Sequence, residues 1–276
     1  QVPGTTWPKT NLWEKMCIQN NQAYAIKTDG TMWACGSAYK GNTCQNDQTQ
    51  RSSPCQIPGT SWAKVTKGAA IRTDGTLWVW GSNSDGGSGI NADRSSPVQV
   101  GSATTWAQVL KGNNAGMATK TDGTLWSWGR NAKGNLGHND LTQRSSTTQI
   151  PGTTWNTVRA VYSGAVATKT DGTAWIWGIN EYGQLGLNDK VRRSSPVQIP
   201  GTTWVGESFT ATDYQSVAAL KTDGTAWVWG RDNKGTLGLN QAHQTYISSP
   251  TQIPGTDWSK LSMSMTARFG IKSVEG

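Results

Sequence analysis

Residues 120–137 read KTDGTLWSWGRNAKGNLG, and related copies of this stretch occur four more times along the chain. The shared feature is an Asp-Gly pair, found at Asp29-Gly30, Asp74-Gly75, Asp122-Gly123, Asp171-Gly172 and Asp223-Gly224. Successive pairs are 45, 48, 49 and 52 residues apart. A repeat of this length is typical of stacked or radial arrays of small modules, not of one irregular core.

The local chemistry of the repeat predicts a β-hairpin, because Asp-Gly favours a type I′ turn with positive φ at both central residues. Around Asp122, residues 116–121 are expected to pair with residues 124–129. Strand side chains alternate between faces, so Trp126 and Trp128 should share one face. The same spacing recurs in Trp78 and Trp80, Trp175 and Trp177, Trp227 and Trp229, and in Trp33 with Cys35. We expect these indoles to pack one repeat against the next.

A second recurring phrase, QIPGTTW in residues 149–155, predicts another strand, because Pro-Gly marks a turn and Trp155 opens a short apolar stretch. Between the paired tryptophans and this phrase lies a loop with Asn-x-x-Gly, Leu-Gly and Asn-Asp, followed by Arg-Ser-Ser-Pro, which is typical of a turn into an edge strand. Each repeat therefore holds about four short strands, the content of one propeller blade. Helical periodicity is absent, and the chain is expected to be all-β.

Composition and charge exclude several classes of protein. Only 15% of the residues are charged, while glycine numbers 33, tryptophan 16 and phenylalanine 2, which fits short strands with aromatic packing and not a disordered chain. No apolar run approaches the roughly 18 residues of a membrane span. The net charge of +8 permits a polyanionic partner. Because the basic residues are spread over equivalent turn positions (Lys27, Arg72, Lys120, Lys169 and Lys221), a solvated face is favoured over nucleic-acid binding.

All four cysteines, Cys17, Cys35, Cys44 and Cys55, lie in the first repeat. Their spacing does not match a zinc site, and the two histidines, His138 and His243, are distant in sequence. One interpretation is a terminal module reinforced by disulfides, Cys44 with Cys55 within a loop and Cys17 with Cys35 between strands. It implies an oxidising, extracellular location. The alternative is four free thiols.

The motif also resembles a known family. Residues 170–178 (TDGTAWIWG), Asn180, residues 183–187 (GQLGL) and residues 194–198 (SSPVQ) are similar to the repeat of the regulator-of-chromosome-condensation family. The resemblance covers nearly the whole chain. It implies a β-propeller, usually of seven four-stranded blades, with both chain ends joined in one blade. Family members range from a chromatin-bound guanine nucleotide exchange factor to secreted inhibitors of other proteins.

The chain departs from the family pattern in two ways. The strand before the Asp-Gly turn lacks the family's usual histidine, and the tryptophan-rich style looks most similar to bacterial and bacteriophage repeats. The number of repeats is also lower than seven. We expect one domain over residues 1–276, with six blades, or alternatively seven, closed by joining the N- and C-terminal strands. The repeat units are roughly residues 1–55, 56–98, 99–148, 149–197, 198–251 and, in part, 252–276.

No catalytic constellation stands out. The repeated aspartates are explained as turn formers. Asp140 and Asp189 have the oxygen chemistry of calcium ligands, but a structural role in their loops is favoured. No phosphate-binding loop, dinucleotide fingerprint or activated nucleophile is recognisable. The protein is therefore expected not to be an enzyme and to carry no metal or cofactor.

Rigid repeats with variable loops suit binding. The leading hypothesis is a structural or adhesive module that contacts other proteins at the surface of a phage particle or a bacterium, with oligomeric assembly left open. The alternative is a soluble regulator, either an exchange factor for a GTPase or an enzyme inhibitor, and nucleic-acid or chromatin binding is a weaker one. Candidate contacts are residues that break the repeat: Tyr39, Lys40, Tyr182, His243, Tyr246 and the segment 7–13.

Overall fold

The computed structural model describes residues 16–19, 21–81, 93–112, 115–161, 164–211, 215–232, 235–240, 245–263 and 268–272. Over these residues the chain forms 22 strands and two short 3-10 turns, Tyr39–Gly41 and Gly206–Ser208. The prediction of an all-β chain is confirmed. In the described part, no helix is long and apolar enough to cross a membrane.

The chain divides into two compact units, residues 1–130 with 143–150, and residues 131–142 with 151–276. The N-terminal unit holds three four-stranded antiparallel sheets, each with its strands in chain order. Sheet 1 contains β1 (Met16–Gln19), β2 (Gln22–Ile26), β3 (Met32–Gly36) and β4 (Arg51–Ile57). Sheet 2 contains β5 (Trp62–Thr66), β6 (Ala69–Arg72), β7 (Leu77–Gly81) and β8 (Arg94–Gln99). Sheet 3 contains β9 (Trp106–Lys111), β10 (Ala115–Lys120), β11 (Leu125–Gly129) and β12 (Arg144–Ile150).

The C-terminal unit holds two more four-stranded sheets and a two-stranded sheet. Sheet 4 contains β13 (Trp155–Val161), β14 (Gly164–Lys169), β15 (Ala174–Gly178) and β16 (Arg193–Gln198). Sheet 5 contains β17 (Thr210–Ala211), β18 (Ser216–Leu220), β19 (Ala226–Arg231) and β20 (Tyr246–Gln252). Sheet 6 contains β21 (Trp258–Met263) and β22 (Arg268–Lys272). The sequence boundaries at residues 55, 98, 148, 197 and 251 fall within two residues of the end of each fourth strand.

The Asp-Gly hairpins form as the sequence predicts, with β10 pairing β11 from Ala115–Gly129 to Thr119–Leu125. The predicted turn type is wrong. In sheet 4, Lys169 N donates to Thr173 O at 2.9 Å and Gly172 N donates to Lys169 O at 3.1 Å, which leaves three residues in the loop. Only Gly172 has positive φ, at 78°, while Asp171 does not. This is a three-residue turn closed by a left-handed glycine, a different hairpin from the two-residue type I′ turn.

The paired tryptophans of sheet 2 lie on the face that packs against sheet 1. Trp80 is fully buried in a cluster with Tyr24, Ile26 and Met32, and Trp78 packs at its edge. The opposite face carries Leu77, Val79 and Ile71, which pack with Trp106 and Trp128 of sheet 3. The indole face therefore packs against the preceding repeat and not, as expected, against the following one.

Sheets 4 and 5 repeat this arrangement within the C-terminal unit. Trp229 and Trp204 of the fifth repeat join Ile176 and Ala174 of sheet 4 in one buried cluster. Trp229 Nε1 also donates to Gln184 O at 2.9 Å, which ties sheet 5 to a loop of the preceding repeat. The second tryptophan of the pair thus joins sheet 5 to the preceding repeat by both packing and a hydrogen bond.

Candidate protein-binding surface

Each repeated aspartate accepts hydrogen bonds within its own turn. Asp171 Oδ1 accepts hydrogen bonds from Thr173 N at 2.9 Å and Thr173 Oγ1 at 2.7 Å. The Thr173 hydroxyl oxygen in turn accepts a hydrogen bond from Trp175 Nε1 at 3.0 Å. The same relay of aspartate, threonine and tryptophan forms at Asp29, Asp74, Asp122 and Asp223. These residues act in folding, and their carboxylates are not arranged as a catalytic group.

This relay makes the stability of the hairpin depend on pH. Hydrogen bonds from the Thr173 hydroxyl and backbone hold the pKa of Asp171 below its ordinary value. The stabilisation is therefore complete above the unfolded pKa of about 3.9 and is lost as the pH falls through the folded pKa. We expect the stability advantage of the wild type over Asp171→Asn to be constant from pH 7 to 5 and to shrink below about pH 4. Chemical unfolding of both proteins between pH 7 and 2 measures it, and a constant difference over that range would contradict the relay.

The basic residues beside the turns are half-buried and lie over indole rings. Lys169 Nζ lies 4.9 Å from the ring centroid of Trp155 and 4.6 Å from that of Trp175. Arg72, Lys120 and Lys221 lie in the same way over two tryptophans each, and Lys27 lies over Trp33. Cation–π contact of this kind stabilises each sheet by about 0.5–1 kcal/mol. The repeated lysines and arginine therefore also take part in contacts that stabilise the fold.

The two carboxylates that could have been calcium ligands are held within their loops. Asn180 Nδ2 donates to Asp189 Oδ1 at 3.0 Å, while Asn180 Oδ1 accepts Leu185 N at 2.9 Å. Asp189 also accepts Val191 N and forms an ion pair with Arg193. Asn131 and Asp140 form the equivalent contact in the third repeat. Within the described residues, no group of three or more His, Cys, Asp or Glu side chains could hold a metal ion.

The predicted disulfides do not form, and all four cysteines are free. Cys17 pairs in register with Tyr24 and so shares the face of Ala34. Cys35, the next residue after Ala34, points to the opposite face.

Burial raises the pKa of the Cys44 thiol well above its ordinary value. Cys44 is part of the core of sheets 1 and 2, while the Cys55 thiol turns toward Ser53 O at 3.7 Å. The cysteines therefore give no support to an oxidising location.

Two of the predicted contact residues meet in the C-terminal unit. The rings of Tyr182 and Tyr246 lie 5.4 Å apart between centroids and are tilted by 32°. Arg231 Cζ lies 5.0 Å from the Tyr182 centroid, and Lys190 Nζ lies 4.5 Å from the Tyr246 centroid. Tyr246 is 42% exposed. We call these four residues the tyrosine patch.

The other predicted contacts lie elsewhere. Tyr39 is 66% exposed in the N-terminal unit, with Lys40 Nζ 5.6 Å from its ring centroid and 3.9 Å from Asp93 Oδ2. His243 and the segment 7–13 lie outside the described residues.

Sequence reasoning missed the cations that surround the tyrosine patch. Lys133, Lys190 and Arg192 line a surface depression of about 310 Å³, together with Glu181. Beside it, Val191 is 60% exposed. The signal was present, since Lys190, Arg192 and Arg193 form a short basic run, but it was masked by the even spread of the other basic residues. The patch and the depression share Lys190 and form one surface.

Comparisons with known proteins agree with this fold. The family described as Regulator of chromosome condensation (RCC1) repeat matches residues 122–166 and 171–212. Over these two stretches the chain carries RCC1 repeats. Among solved structures, human WBSCR16 matches with a TM-score of 0.72 and 19% identity over 92% of this chain and 70% of that one. Yeast RCC1 (Prp20), solved with Kap60, matches with a TM-score of 0.75 and 16% identity over 93% of this chain and 67% of that one.

A second structure, Prp20p from Saccharomyces cerevisiae, matches with a TM-score of 0.74 and 18% identity over 95% of this chain and 69% of that one. It is described together with the binding of Prp20p to Gsp1p and histones. A comparison with curated protein sequences found no match. At these identities the structural likeness shows the fold alone, which is that of an RCC1-type β-propeller.

Proposed function

We propose that the protein is a non-catalytic module that binds other proteins through the loops of its repeats. The observation that carries this proposal is that the repeated polar side chains and the exposed aromatic side chains have different roles. The repeated aspartates, loop asparagines and turn cations are used in folding contacts. Exposed aromatic and apolar side chains, in contrast, stand where the repeat is broken, as at Tyr39, Val191 and Tyr246. Tyrosines such as Tyr39 and Tyr246 are favoured at the centres of protein interfaces.

We further propose where the protein acts and how many blades it forms. The tryptophan-rich repeats are similar to bacterial and bacteriophage versions, which supports a structural or adhesive component of a virion or bacterial surface, outside the cell. The described residues form five four-stranded sheets and one two-stranded sheet. We propose six blades, or alternatively seven, closed by pairing of the two chain ends. Because a propeller is rigid, it can hold such loops in fixed positions against neighbouring proteins.

A soluble regulator is the second candidate function. The likeness to Prp20, which has been solved with Kap60 and described with its binding to Gsp1p and histones, favours it. In that case the partner would be a GTPase or an enzyme, contacted over roughly 1,600 Å² of total buried surface.

Site-specific cross-linking separates these functions. We would place a photoreactive benzoyl-phenylalanine at Tyr246 and, in separate proteins, at Tyr39 and Lys260, and irradiate each in the organism that encodes the chain. Lys260 is an exposed control on β21. Cross-links from Tyr246 or Tyr39 to a structural protein of a particle or cell surface would support the leading function. Cross-links to a GTPase or hydrolase would support the second, and products no different from those of Lys260 would contradict binding through these loops.

A further inference from the structure

The tyrosine patch and the adjoining depression bring four cations onto one surface. Arg231 and Lys190 lie over the two tyrosine rings, and Lys190 continues into the depression with Lys133 and Arg192. In the described part of the chain, none of Lys133, Lys190 and Arg192 forms an ion pair. Glu181 is the acidic residue of the depression. The neighbouring Asp189 is already paired with Arg193. The surface is therefore strongly positive.

The arrangement of the rings discriminates between two kinds of anionic partner. Binding of single-stranded nucleic acid depends on aromatic faces on which bases can stack. Here Tyr182 and Tyr246 pack against each other, and each ring has a cation over it as well. A base that stacked on either ring would have to displace the covering cation or the other ring. The ammonium and guanidinium groups, in contrast, remain able to donate hydrogen bonds to carboxylates.

Shape and local charge favour the same partner. A depression of about 310 Å³ fits a few side chains and not a continuous nucleic-acid strand. Glu181 would repel a chain of phosphates, whereas a peptide can place an uncharged residue beside it. The exposed Val191 next to the cations adds an apolar contact of the kind found in protein interfaces. The net charge of +8 would also accelerate encounter with an acidic partner.

We propose that the surface formed by Lys133, Tyr182, Lys190, Arg192, Arg231 and Tyr246 binds a carboxylate-rich segment of a partner protein. This inference rests on the proposed protein-binding function and names the chemistry of the partner. The lysines and arginines pair with the carboxylates, and the tyrosine pair holds Arg231 and Lys190 in place.

The test uses a fluorescein-labelled peptide of four glutamates and two serines as probe, with binding followed by fluorescence polarisation. The variant Lys190→Glu with Arg192→Glu reverses two charges in the depression. The variant Lys64→Glu with Lys260→Glu makes the same change in net charge outside the surface. Before binding is measured, thermal unfolding must show that both variants have the same midpoint temperature as the wild type. We expect the first variant to weaken peptide binding about tenfold or more and the control to weaken it less than threefold, because rim charges act locally at moderate ionic strength.

Equal losses in the two variants would overturn the proposal, because they would show attraction by net charge alone. A six-nucleotide oligothymidylate serves as the competing probe. Tighter binding of this probe than of the peptide, with selective loss in the Lys190→Glu and Arg192→Glu variant, would assign the surface to nucleic acid instead. No binding of either probe by the wild type would also reject the inference. Cross-links from Tyr246 to a non-acidic protein surface would reject it as well, while leaving the protein-binding function intact.

Discussion

Replacing Trp229 by alanine is expected to lower the free energy of unfolding by about 4 kcal/mol, within the range for buried tryptophans. Its side chain is fully buried, with ring centroids of Trp204 and Phe209 at 6.0 and 6.3 Å. The indole N–H also donates to Gln184 O at 2.9 Å. Truncation would open a cavity at the junction of sheets 4 and 5 and leave that carbonyl without its indole donor. Guanidinium unfolding followed by fluorescence measures the loss.

Two variants of the same sheet separate the causes. Trp227→Ala removes the other tryptophan of the pair, which is only partly buried and donates to Thr225 Oγ1, so we expect a loss less than half as large. Trp229→Phe keeps most of the apolar contact and removes the hydrogen bond, and it should cost about 1–2 kcal/mol. If Trp227→Ala proved as damaging as Trp229→Ala, the two indoles would not have the different roles that their burial indicates.

The sequence predicted the hairpins and the four strands of a repeat because these depend on local signals. Asp-Gly, the alternating tryptophans and Pro-Gly each act over a few residues, and five copies reinforce the same interpretation. The turn type was wrong because the closing hydrogen bonds include Thr170 in the loop, as in Lys169 N to Thr173 O. Asp-Gly alone does not specify how many residues a loop contains.

The disulfide prediction was wrong for a different reason. Closeness in sequence suggested that Cys17 and Cys35 could meet, but register decides which face each side chain takes. A strand lies between them, and they point to opposite faces. Register is a property of the assembled sheet and cannot be read from spacing.

The candidate surface was predicted only in part. Tyr182 and Tyr246 were identified because they break the repeat, but they are 64 positions apart and no local pattern predicts that their rings meet. They meet because the loop at Gly183 packs on β20 near Ser248. Arg231 was missed, since its role follows from the Tyr182 ring that it covers and not from its own sequence context. Lys190 belongs to a short basic run, but the run does not predict that its side chain lies over Tyr246.

A second large effect is expected at the hairpin turn of sheet 2, where Gly75→Ala should cost about 3 kcal/mol. Gly75 has φ of 76°, a conformation that costs an L-residue about 1–2 kcal/mol. A Cβ at this position would also overlap the carbonyl oxygen of Thr104. The turn and the next repeat are joined here, because Trp106 N donates to Gly75 O at 3.1 Å. The added methyl group would therefore strain the turn and force it away from residues Thr104 and Trp106 of the next repeat.

Gly101→Ala is the matched control. Gly101 also has positive φ, at 60°, but nothing lies within 4 Å of the position that its Cβ would take. It should cost only the backbone term, about 1–2 kcal/mol. The difference between the two variants in urea unfolding isolates the contact with Thr104. Equal losses would mean that the turn glycine is required for its backbone conformation alone. A larger loss at Gly75 would mean that the repeated glycine also sets how closely successive repeats pack, so that the Asp-Gly pair determines both the hairpin and its junction with the next sheet.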